Sequence, residues 1–224
     1  MFNEERVGEI LEGIAWLNGQ MGVWSFIVPI MFAVGVLWLL FINYRQPSRR
    51  HAGYLLSFYA FIYLFSGYTI YLGKDFMGLK VALAGAIGLW FVALFLILDV
   101  IFNWTTIKVP EQKSLKIFSW LLIFTGIFLY PLVEISLGFT YPGMVFFGAE
   151  CPTTISLIGL YIGSIPKVNK PLFVIISLNA IVTGGSVALS GATFDYLYAL
   201  AGIIGMMMLI LHFKEIFLKP RVQS

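Results

Sequence analysis

A chain of 224 residues that is 60% hydrophobic, 17% aromatic and only 11% charged cannot hide its apolar side chains in a soluble core, where roughly 25% of residues are charged and about 45–50% apolar. Its solvent must be a bilayer. One cysteine excludes an internal disulfide and Cys-based zinc patterns, two histidines are too few for a histidine cage, and a net charge of +3 spread over loops offers nucleic acid no docking surface.

The chain opens MFNEERVGEILEG, acidic where a cleavable signal peptide would be basic, so no signal peptide is expected. Val7, Ile10, Leu11, Ile14 and Leu17 recur at helical spacing between Glu4, Glu5, Glu9 and Glu12. That pattern predicts an amphipathic helix lying on a membrane surface, with a partly ordered tail as the alternative. Seven hydrophobic segments follow, at residues 23–43, 52–73, 79–103, 117–137, 144–165, 171–189 and 196–213. Each approaches or exceeds the roughly 20 residues that cross a hydrocarbon core. The expected organisation is an amphipathic segment (1–22), one transmembrane domain (23–214) and a tail (215–224).

Charge asymmetry sets the expected orientation. Arg45, Arg49, Arg50, Lys108, Lys113, Lys116, Lys167, Lys170, Lys214, Lys219 and Arg221 fall on one set of loops, and only Arg6, Lys74 and Lys80 on the other. By the positive-inside rule the N-terminus is outside and the C-terminus cytoplasmic. Most carboxylates fall on the outer side: Glu4, Glu5, Glu9, Glu12, Asp75, Glu134, Glu150 and Asp195. The fold class is therefore an all-α polytopic membrane helix bundle of about seven spans. Small residues four apart (Ala84 and Gly88, Gly159 and Gly163, Gly184 and Ala188, Ala201 and Gly205) predict close helix packing. No internal repeat is visible.

Residues 130–154, YPLVEISLGFTYPGMVFFGAECPTT, break the hydrophobic regularity. Pro131 removes an amide from the fourth span and frees the Ile127 carbonyl, which predicts a kink. Tyr130 and Glu134, four apart, share a helix face. Glu134 lies roughly 26 Å along its span, at the far boundary, either turned inward by the kink or solvated. The run from Gly138 through Pro142 to Gly143 cannot continue a helix. A new helix is expected to begin at Pro152, with a polar residue before it as cap. From there to Ile165 is about 21 Å, too short to cross alone. The fifth span is thus broken or re-entrant, a geometry tolerated only where backbone is buried in protein or lines a wet cavity.

The candidate substrate-binding set is Tyr130, Glu134, Glu150, Cys151, Thr153 and Thr154, with Pro131, Pro142 and Pro152 as the kink and helix breaks. Carboxylates favour a cation or a proton; Cys151 is either one ligand of a soft metal ion or a small apolar packing residue. No metal is assigned and no cofactor is expected. Tyr59, Tyr63 and Ser66 either line a polar path or hydrogen-bond within the core. Asp99, near the cytoplasmic end of the third span, either touches headgroup water or pairs with Lys214 or His212.

The stretch YPLVEISLGFTYPGMVFFGAECPTTISLIGLYIG resembles the signature of an uncharacterised prokaryotic multi-pass membrane family, domain of unknown function six-zero-six-four. The similarity rests on the Tyr-Pro pairs at Tyr130 and Tyr141 and on Cys-Pro-Thr-Thr from Cys151. It implies an integral protein of a prokaryotic cell membrane with no established activity. The expected function is transport or channel activity for an ion or small solute through an outer acidic vestibule. The alternative is a non-catalytic assembly subunit that binds a second copy or another membrane protein. An enzyme using Cys151 as nucleophile lacks a base, because His51 and His212 map to the opposite side.

Overall fold

The structure is a computed structural model that describes the backbone of residues 4–71 and 80–218 and the side chains of residues 7–71 and 83–218. Lys74 and Asp75 of the second loop, Lys219 and Arg221 of the tail, and the side chains of Glu4, Glu5, Arg6 and Lys80 lie outside the described residues.

Every regular element among the described residues is helical. Helix α1 (Glu4–Met21) precedes α2 (Trp24–Arg45), α3 (Arg49–Tyr71) and α4 (Lys80–Phe102). Helical runs α5 (Lys113–Ser136), α7 (Lys170–Leu189) and α8 (Thr193–Leu211) complete a set of six helices, with α2, α3 and α4, long and apolar enough to cross a membrane. Between α5 and α7 lies α6 (Glu150–Gly163), of only 14 residues. This is the broken fifth segment expected from its proline spacing. The helix starts at Glu150, two residues earlier than expected, and Ala149 at its cap gives no side-chain bond. Thr153 accounts for the difference: its hydroxyl accepts from Gly148 N at 3.0 Å, and its amide donates to Ala149 O at 3.2 Å.

The helices form two layers. In one, α3 sits between α2 and α4; in the other, α5, α7 and α8 surround α6. From Pro152 to Gly163 every residue of α6 is buried, so the shortest of these helices is the centre of the molecule. Gly159 explains the fit. A methyl group there would stand 2.8 Å from Ser119 O and 2.9 Å from Ile123 N of α5. The Gly184 and Gly205 positions seat α7 against α8 in the same way. Ala84 and Gly88 do not follow the pattern: Gly88 meets nothing within 4 Å and borders a cavity instead.

Connections rich in basic residues gather at one end. Arg49 donates to Ile101 O (3.0 Å), Asn43 to Ile107 O (2.7 Å) and Thr106 N to Lys167 O (2.9 Å). Asp99 organises this end and is 1% exposed, which corrects the headgroup reading. Asn103 adopts φ 53°, a left-handed conformation that asparagine tolerates, and turns the chain back over α4. Thr105 then donates from its amide (2.8 Å) and hydroxyl (2.6 Å) to Asp99, and Tyr161 from 3.3 Å. Neither Lys214 nor His212 takes part; His212 faces Glu215 at 3.2 Å.

The basic-poor end is closed differently. Non-helical residues 137–149 fold inward, burying Met144, Val145 and Phe147. Helix α1 lies against them: Asn18 donates to Pro142 O (2.7 Å) and Met144 O (2.8 Å), and Tyr141 donates to Asn18 O (2.9 Å).

Candidate functional site: an acid-floored cavity

Helix irregularities place the polar side chains. In α5 a π-helical turn, Thr125–Leu129, ends where Tyr130 N donates to Thr125 O. This is the expected distortion at Pro131, taken up as one wide turn in place of a collision with the Ile127 carbonyl. A second π-helical turn, Ala180–Gly184, begins directly after Asn179 in α7. Asp195 closes the single 3-10 turn Thr193–Asp195 that opens α8, and Glu150 is the first residue of α6. Each of these four residues stands at a break in a helix, where side chains from different elements can converge.

They meet around a cavity of about 480 Å³ in the basic-poor half, with Tyr130, Glu150, Cys151, Asn179 and Asp195 in its lining. Glu150 accepts from Tyr71 on Oε2 (3.1 Å) and from Asn179 on Oε1 (3.0 Å). Thr183 donates to Asn179 Oδ1 (3.0 Å), which turns the amide NH2 toward Glu150 and toward the Tyr198 hydroxyl, 3.0 Å away. Tyr130 donates to Asp195, and Cys151 lines the cavity with the same carboxylate. Asn179 is exposed although it sits at the middle of a 20-residue apolar span. An amide facing lipid there would be costly; this one faces the cavity.

A row of hydroxyl pairs continues along α6. Tyr63 pairs with Thr154 at 2.7 Å and Tyr59 with Ser156 at 2.6 Å, while Ser66 donates to Gly148 O. These bonds tie α3 to α6, and Tyr63, Ser66 and Thr154 also border the cavity.

The residues singled out from sequence divide into two groups. Tyr130, Glu150, Cys151 and Thr154 line the cavity. Glu134 and Thr153 do not: both Glu134 oxygens accept from Val145 N at 3.0 Å, and Thr153 holds Gly148. Their work is to pin residues 137–149. Tyr71, Asn179 and Tyr198 belong to the site and were not singled out. A lone amide in the middle of an apolar span is a readable signal for Asn179; Tyr71 and Tyr198 carry none. Among the described residues no group of three or more His, Cys, Asp or Glu is arranged to hold a metal ion.

Fold and site together define a polytopic membrane helix bundle enclosing a polar-floored cavity. The chain belongs to the family described as Family of unknown function (DUF6064), matched over residues 11–219. No curated protein and no solved structure matches it.

Proposed function

We propose that the protein is a transport protein that binds a small cationic solute in the cavity, from the outer side of a prokaryotic cell membrane. The observation that carries this reading is that Glu150 and Asp195 share one cavity whose described lining contains no Lys or Arg. A carboxylate withdrawn from water needs an opposite charge, a proton or several donors. Among the described residues Glu150 and Asp195 are held by neutral donors alone, so a cation completes the site. Tyr63, Tyr71 and Tyr130, in the same lining, add aromatic surface of the kind that attracts cations. The positive-inside rule puts the cavity end outside.

The assembly-subunit alternative rests on small-residue helix faces. Those at Gly159, Gly184 and Gly205 are occupied by neighbouring helices of the same chain, which supports the solute-binding reading over it.

Uptake of labelled tetramethylammonium, butyltrimethylammonium and octyltrimethylammonium into proteoliposomes tests the proposal. At least one of these ions enters faster through the wild type than through Glu150→Gln, and Glu134→Gln keeps the wild-type rate. Equal rates for wild type and Glu150→Gln with all three ions would remove the carboxylate from the function.

A further inference from the structure

Resting on the cation reading above, we infer that the occupant is amphiphilic: an organic ammonium ion carrying a single alkyl chain, which enters sideways from the lipid between α4 and α7. Three observations converge on this. The first is size. At about 30 Å³ per water-sized group, a cavity of about 480 Å³ holds roughly sixteen such groups. That is far more than an inorganic ion needs and fewer than the two chains of a bilayer lipid require.

The second is the make-up of the lining. Besides the two carboxylates and their donors it is largely apolar, with Leu11, Ile14, Val28, Phe32, Leu89 and Val92 among its residues. A hydrated inorganic ion would leave that apolar wall in contact with water; an alkyl chain covers it, at about 0.8 kcal/mol per buried methylene. Helix α1, whose apolar face borders the cavity while its glutamates alternate with that face, roofs the chain-binding part.

The third is the mouth. Ala84 and Gly88 on α4 and Ile175 and Asn179 on α7 all line the cavity and are all exposed. Both helices otherwise present large apolar side chains outward, among them Ile87, Leu94, Leu178 and Val182. The opening therefore lies between two lipid-facing helices. Gly88, with open space beyond its Cα, keeps it wide.

Equilibrium binding of the same alkyltrimethylammonium series to the full chain in lipid nanodiscs, with empty nanodiscs subtracted, decides the matter. Affinity should rise about threefold to fourfold per added methylene from tetramethylammonium to octyltrimethylammonium, and Glu150→Gln should weaken every member. Gly88→Leu, whose side chain would take up chain-binding space in the cavity without touching the carboxylates, should lower octyltrimethylammonium affinity at least tenfold and that of tetramethylammonium less than threefold. Equal affinities along the series, or equal losses for both ions in Gly88→Leu, would overturn the amphiphile and leave the cation site standing. No binding by any member would overturn both.

Discussion

Buried carboxylates in this protein do two different jobs, and their partners tell them apart. Asp99 and Glu134 are held chiefly by groups close in sequence, Thr105 in one case (with Tyr161 from α6) and the Val145 amide in the other. Both fasten loops. Glu150 and Asp195 are reached only by side chains from other helices and border open space. Thr105→Val tests the first class: it removes the hydroxyl that donates to Asp99 and accepts from Asn169 N at 2.9 Å. Leaving a buried carboxylate short of a donor costs about 1–3 kcal/mol, to be read from unfolding by dodecyl sulfate titration in mixed micelles. Tyr59→Phe, which loses one hydroxyl pair between helices, should cost less, about 0.6 kcal/mol. A larger loss in Tyr59→Phe than in Thr105→Val would reverse this ranking.

At the level of elements, α6 shows why a helix too short to cross alone is nevertheless the most buried. Its glycines let α5 approach to backbone contact, and residues 137–149 cover its beginning. Gly159→Ala should therefore destabilise strongly, since the added methyl meets Ser119 O and Ile123 N at under 3 Å and overpacking of this kind costs about 1–3 kcal/mol. Gly185→Ala, in a helix and facing open space, should be neutral or stabilising by up to about 1 kcal/mol. The same titration reads both, and similar effects at the two sites would contradict the packing account. The break before Pro152 and the distortion at Pro131 were legible because proline acts through local backbone geometry. The inward course of the run before Pro152 was also legible, from a span too short to cross alone; the bonds that fasten it were not, because they come from Glu134, Asn18 and Ser66 on three other helices.

For the whole molecule, hydropathy and charge alternation anticipated a helical membrane bundle, since both are carried by composition along each segment. They placed the unusual region at one end but not the cavity itself. Asp195 and Asn179 come to Glu150 only through the packing of α7 and α8 around α6, and no local pattern announces that meeting. Ala84 and Gly88 show the converse: a spacing that usually means close packing here borders empty space.

The central proposal is a cation-favouring cavity reached from the outer side through the mouth between α4 and α7. Cys151, the only cysteine, reports on it without interference. It lines the cavity beside Asp195 and is partly exposed. In whole cells, membrane-impermeant methanethiosulfonate reagents carrying either a trimethylammonium or a sulfonate group can be compared at this one thiol. Two carboxylates without a described basic neighbour should make the cationic reagent react at least tenfold faster, and Glu150→Gln should shrink that preference. No labelling by either reagent, or equal rates for both, would contradict the account.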